Sequence, residues 1–185
     1  MRPEISDGKI TLKSYEKDDA SRLCEAARES RDGEFTRWMP WCHEKYSRAE
    51  SDSFIAHSIK GWENKTEFNF VVLEAKTGEF LGGIGLNQFN PQHNLVNLGY
   101  WIRRNQQNRG IASQATRLLA KTAFEDLTLN RIEILVAVEN AASQKAAKKS
   151  GAEYEGILRN RLLIGGRVHD AAMFSFIPED FTNNI

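Results

Sequence analysis

Apolar and polar residues alternate through KITLKSY (9–15), the period of a strand with one covered face. DDASRLCEAARES (18–30) changes to helical spacing, with acidic residues at its start. SRAESDSFIAHSIKGWENK (47–65) opens on Ser47 and Glu50, a capping box in which each side chain satisfies a free amide of the first turn. EFNFVVLEA (67–75) and EFLGGIGLNQF (79–89) flank a KTG turn and read as a hairpin. The turn NPQHN leads into LVNLGYWIRR (95–104), a further strand. A helix is predicted over about 110–127, because Ile111, Ala115, Leu118, Leu119, Ala123 and Leu127 share one face. RIEILVAV (131–138) is almost continuously apolar, as in a strand covered on both faces. NAASQKAAKKSG (140–151) reads as a short helix capped by Asn140 and ended by Gly151. AEYEGILRNRLLIGGRVHDAAMFSFI (152–177) closes as strands turning at Gly165-Gly166. The order β-α-α-β-β-β-α-β-α-β-β predicts an α/β domain on a mixed sheet.

Composition narrows the class. A chain of 185 residues is long enough for one domain with a sizeable core, so 1–185 is read as a single domain. Lys plus Arg and Asp plus Glu balance at 25 each, so no one-signed field points to nucleic acid. No apolar run is long enough to span a bilayer, and no signal segment follows Met1. Cys24 and Cys42 form neither a disulfide framework nor a metal site by spacing. The expectation is a soluble, reduced, cytoplasmic protein without a metal.

The junction RRNQQNRGIASQATRLLAKTAFE (103–125) carries the first chemistry. The opening amides of a helix have no internal partner, and with the helix dipole they form an anion site. Gly110 lets a phosphate approach the backbone closely. The loop lacks the lysine and hydroxyl residue of a nucleotide-triphosphate loop, and there is no G-x-G-x-x-G. Taken alone, it is equally an ordinary turn into a helix.

Gln107-Asn108-Arg109-Gly110-Ile111-Ala112 has the form Q-x-x-G-x-A, and VENAASQKAAKKSGA (138–152) follows it. Together these resemble the GNAT N-acetyltransferase superfamily, whose pyrophosphate loop reads Q/R-x-x-G-x-G/A. LGYWI (98–102), GIASQA (110–115), YEGILRNRLLIGGRVHD (154–170) and the early RWMPW (37–41) are similar to its RimJ/RimL branch of ribosomal-protein acetyltransferases. The resemblance covers essentially the whole chain. It implies a GNAT-like fold: a mixed central sheet splayed between two parallel strands and flanked by helices. The activity implied is acetyl-CoA-dependent N-acetyl transfer.

The resemblance also assigns residues. Amides of Gln107, Asn108, Arg109, Gly110, Ile111, Ala112 and Ser113 would hold the pyrophosphate of acetyl-CoA. The strand ending at Ile102 would pair with the pantetheine arm, and Asn140 would hydrogen-bond its side. Fixed backbone donors there suit the developing oxyanion of the thioester carbonyl. Many members place a tyrosine seven residues after the asparagine, where Ala147 stands here. Ser143 matches the serine that RimL-like enzymes offer to the departing sulfur. Their glutamate bases fall on Leu162 and Asn97, neither of which takes a proton at neutral pH. An α-amine needs less help than lysine. Roughly a tenth of α-amines are neutral at pH 7, against about one lysine in two thousand. The acceptor implied is therefore the N-terminal α-amine of a ribosomal protein, serine-directed by GIASQA and Ser143 or alanine-directed by RNRLLIGGRVHD. A small amine such as a polyamine or aminoglycoside, or a non-catalytic acyl-CoA-binding module, are the alternatives. A homodimer is compatible with the resemblance, and direct nucleic-acid or membrane binding is not expected.

Other residues have plainer readings. Cys42-His43 are sequence neighbours on an extended chain and point apart, so they do not read as a thiol–imidazole pair. His57 reads as a helix residue and His93 as a turn residue. Trp38, Trp41 and Trp62 read as packing, while the resemblance makes Trp38, Met39 and Trp41 candidates for the acceptor-site wall.

Overall fold

Strands that alternate in sequence pair here into one eight-stranded sheet with helices packed on each face. The computed structural model describes residues 1–31 and 33–182. Among them the strands are β1 (Glu4–Ser6), β2 (Ile10–Ser14), β3 (Phe68–Glu74), β4 (Phe80–Asn90), β5 (Leu95–Ile102), β6 (Arg131–Ala137), β7 (Glu153–Ile164) and β8 (Arg167–Phe176). The helices are α1 (Asp19–Ser30), α2 (Gly33–Trp38), α3 (Arg48–Asn64), α4 (Ile111–Asp126) and α5 (Ala141–Lys149). β1 and α2 are additions to the predicted order. Both are very short, below the length at which periodicity is readable.

The strands lie in the order β1-β2-β3-β4-β5-β6-β8-β7. Every described pairing is antiparallel except β5 with β6, which α4 joins as a crossover. In β3, Phe70 and Val72 belong to one core cluster and Val71 to the other, as alternation requires. The first cluster takes Ile111, Ala115, Leu119 and Ala123 of α4 against Leu12, Leu98, Ile132 and Ile134. The second takes Ala20, Leu23 and Ala26 of α1 with Ile55 of α3.

β6 departs from expectation. Ile132, Ile134 and Val136 are buried, but Arg131, Glu133 and Leu135 are only partly covered. The second face of β6 is not dry core. Near its start it carries a charge cluster in which Arg131 bonds Glu133 (2.8 Å) and Glu155. Farther along it faces a cavity, which sets the stage for the site.

Candidate active site

The parallel pair is where the sheet opens. β5 and β6 are in register only over Leu95–Asn97 and Arg131–Glu133. Beyond that point β5 stays paired with β4 as far as Gly82 opposite Ile102, and β6 stays paired with β8 as far as Ala137 opposite Ala171. Each strand is thus held from its outer side while the inner edges part. The inner edge of each carries backbone donors and acceptors that the sheet does not pair.

At the far end of β5 a short 3-10 turn, Arg104–Gln106, leads into α4. Side chains fix this loop in place. Gln107 Nε2 donates to the Ile102 carbonyl (3.1 Å), Gln106 Nε2 to Glu79 (2.7 Å), and a guanidinium N–H of Arg109 to Gln106 Oε1. Asn108 and Gly110 both lie in the left-handed region, at φ 61° and 80°. Such turns point successive N–H groups to one side. The first backbone bond into α4 runs from Gln114 to Gly110 (3.0 Å). Among the described residues, the amides of Asn108, Arg109, Gly110, Ile111, Ala112 and Ser113 donate to no backbone carbonyl. The Gln107 amide does, to Arg104 (3.2 Å), so the free stretch begins one residue later than expected.

A test of fit for a phosphate is available at Gly110. A Cβ built there meets only the Lys149 ammonium, at 3.6 Å. The glycine surface is open, and the nearest neighbour is a cation from the last turn of α5. Lys149 escapes a motif reading because it lies far from the loop in sequence. The other loop residues have structural duties: Ile111 is core, Ala112 packs against it, and the Ser113 hydroxyl ties α4 to the Ala146 carbonyl of α5 (3.0 Å).

Between the parted strands lies a cavity of about 620 Å³. Leu98 to Trp101 of β5 and Ile134 to Ala137 of β6 form its two sides. Asn140 and Ser143 line it, together with Trp38, Met39 and Trp41. Five of the expected site residues, widely spaced in sequence, therefore share one space; the loop and Ile102 lie at the adjoining end, outside that lining. Asn140 Oδ1 accepts the Ser143 amide (3.1 Å), the helix cap foreseen for it. The Tyr100 hydroxyl donates to the Ser143 carbonyl (2.9 Å) and lies 3.1 Å from its Oγ. Burial raises the Tyr100 pKa above the ordinary tyrosine value, against a smaller opposing effect of the Ser143 bond, so Tyr100 keeps its proton at neutral pH.

Trp41 packs edge-on against Trp101 (5.3 Å) and Tyr46 (5.6 Å) to close the aromatic wall. Trp62 is elsewhere, packed on Phe68 and Phe70. Of the two positions at which the resemblance leads us to expect a glutamate base, Leu162 lines the cavity and Asn97 bonds Asn87 (2.9 Å), so neither offers a base. Cys24 and Cys42 are buried and form no disulfide among the described residues. His57 lies in α3 and contacts Glu67 (2.7 Å). No group of metal-ligating side chains forms among the described residues.

Residues 9–153 match the acetyltransferase (GNAT) domain family. The chain belongs to that family. The uncharacterized N-acetyltransferase p20 of Bacillus licheniformis is 30% identical over 176 residues, 94% of this chain and 95% of that one. A solved structure from Vibrio cholerae, described provisionally as a ribosomal-protein-serine acetyltransferase, is 30% identical at TM-score 0.81, covering 96% of this chain and all of that one. RimL, a ribosomal L7/L12 alpha-N-protein acetyltransferase solved with coenzyme A, shares the fold at TM-score 0.84 with 19% identity, over 95% and 97% of the two chains. This GNAT domain is an N-acetyltransferase, and the opening between β5 and β6 is the feature of its sheet that needs a functional account.

Proposed function

We propose that the protein transfers the acetyl group of acetyl-CoA directly to an N-terminal α-amine, that of a ribosomal protein. The parting of β5 from β6 beside a side-chain-clamped, amide-rich loop carries this reading. Amides of Asn108 to Ser113, the α4 dipole and Lys149 hold the pyrophosphate. The free edge of β5 from Leu98 to Ile102 accepts the pantetheine arm in the manner of an added strand. When bound, acetyl-CoA supplies an activated acyl group. Ser143, braced by Tyr100, offers a hydroxyl hydrogen to the sulfur as it takes up charge. Trp38, Met39 and Trp41 wall the acceptor side.

The Vibrio protein supports the ribosomal acceptor through its name. The cavity itself favours one second reading. Its volume of about 620 Å³ is that of a small-ligand pocket, which suits a free small amine as well as a peptide end. Incubation with acetyl-CoA and four acceptors, followed by mass spectrometry, separates these. The acceptors are serine- and alanine-initiated peptides, spermidine and an aminoglycoside. Transfer to a peptide α-amine is expected. Transfer to the small amines alone overturns the acceptor, and transfer to none leaves a non-catalytic acyl-CoA binder.

A further inference from the structure

The cavity contains a proton acceptor at a position where no motif places one. Five titratable side chains line it: Tyr15, Tyr46, Tyr100, His43 and Glu50. Burial raises all three tyrosines, so none of them can act as a base near neutrality. His43 Nε2 lies 2.8 Å from Glu50 Oε1. Glu50 is itself fixed at the start of α3, accepting the Ser47 amide (2.8 Å) and hydroxyl (3.0 Å) through its other oxygen. Desolvation pushes its pKa up, but the Ser47 and His43 hydrogen bonds outweigh this and hold it below the usual carboxylate range. An ionised carboxylate only accepts, so the shared hydrogen sits on Nε2 and the lone pair on Nδ1.

We propose that His43 is the base that takes the proton of the acceptor ammonium, with Glu50 as its positioning residue. This rests on the amine-acetylation reading above. The amine nitrogen forms a bond to the acetyl carbon as the carbon–sulfur bond breaks and the electron pair leaves on sulfur. The first proton, taken from the ammonium before attack, passes to Nδ1 and from there to solvent, since the His43 side chain is 47% exposed, and the second, released from nitrogen after attack, ends on the departing sulfur to give the free thiol. The charged groups around the imidazole are few. Glu50 faces it from α3, and Arg28 and Arg31 of the α1 end are tied to the carbonyls of Tyr46 and Glu44. Glu44 and Lys45 follow on its own loop.

The test measures kcat against pH with saturating acetyl-CoA and two peptides whose α-amines differ in pKa. In the wild type the two profiles coincide, because the enzyme group sets them. In His43→Gln, kcat at pH 7 falls about 10²-fold, and the profiles separate by the amine difference. The deficit shrinks above about pH 8, where the amine is already neutral. Glu50→Gln falls by less and adds nothing in the His43→Gln background. Separated profiles in the wild type, or unaltered profiles in a folded His43→Gln enzyme, overturn His43 alone. Failure of the wild type to acetylate either peptide, spermidine or an aminoglycoside removes this proposal together with the function it rests on.

Discussion

The end of β5 at Ile102 and the stretch leading up to it meet different material. At the Ile102 end, the features that suit a ligand are mostly backbone: Asn108 and Gly110 at positive φ and a run of unpaired amides, with the loop's own side chains clamping it and Lys149 standing beside it. Along Leu98 to Trp101, the features are side chains brought from α2, α3, α5, β7 and the loop before α3, closing a cavity. A backbone site tolerates most side-chain changes but not bulk at the glycine. A side-chain site is the reverse, sensitive to the loss of single groups and adjustable by substitution. One end therefore suits a constant partner and the other a variable one.

The sharpest way to break this contrast is to put a side chain into the backbone end. Gly110→Glu forces an L-residue to φ 80°, at a cost of roughly 1–2 kcal/mol. It also directs an anion at the phosphate position and offers Lys149 a competing partner. Coenzyme A affinity, measured by calorimetry, is expected to fall by at least about 100-fold, since each 1.4 kcal/mol is tenfold. The fold should survive, because a Cβ there meets no backbone. Unchanged affinity would remove the pyrophosphate assignment.

The same contrast explains what the sequence discloses. The loop is contiguous, so its glycine and its glutamine stand at fixed spacing and can be read directly. Apart from the short β1 and α2, the strands and helices, including the faces of α4 and the turn at Gly165-Gly166, follow from local periodicity and turn chemistry. The cavity is assembled across the chain. Tyr100 meets Ser143 only because β5 and α5 are brought together by the fold, and no spacing rule encodes that distance. Lys149 reaches Gly110 for the same reason. Glu50 is the instructive case: a capping-box residue in sequence, and in space also the partner of His43. Its local duty was legible and hid the other. β6 failed differently, since an apolar run looks alike whether it faces core or cavity.

On the side-chain end, Ser143→Ala removes the hydroxyl beside Tyr100. We expect kcat to fall about 10²-fold, the low end for general-acid assistance, with coenzyme A affinity nearly intact. The Asn140 cap on the Ser143 amide is backbone and remains, so the folded fraction should change little. Because Tyr100 stays protonated beyond its ordinary pKa of 10.0, no alkaline loss of activity from this pair is expected below pH 10. Wild-type kcat in a folded variant, with chemistry limiting the rate, would leave Ser143 a purely structural residue.

Tyr15 sharpens the comparison by separating stability from function. Its hydroxyl is buried, lines the cavity, and has no hydrogen-bond partner among the described residues. An unsatisfied buried hydroxyl costs about 1–3 kcal/mol, which a cavity occupant that bonds it would recover. Tyr15→Phe keeps the edge-on packing against Phe54 (5.3 Å) and removes the orphaned atom. The melting temperature should rise by a few degrees, about 2–4 °C per kcal/mol at this size. The acceptor KM should rise about five-fold, the worth of one neutral hydrogen bond. A rise in stability with no change in KM would place the hydroxyl outside the binding surface.

Lys149→Ala tests whether any side chain matters at the backbone end. The ammonium stands next to the open surface of Gly110, but the residue is exposed, so water and salt weaken its attraction for a phosphate. An exposed ion pair contributes roughly 0.2–1 kcal/mol, which corresponds to a loss of at most about five-fold in coenzyme A affinity. Charge alone distinguishes this residue from the amides. The loss should therefore fade as salt rises towards about 1 M, where the screening length drops to about 3 Å. The amides form short, directional bonds that salt screens much less, so the affinity remaining in Lys149→Ala should depend less on salt than that of the wild type. Equal salt dependence in the two proteins would mean that Lys149 does not face the phosphates and that the backbone end binds without it.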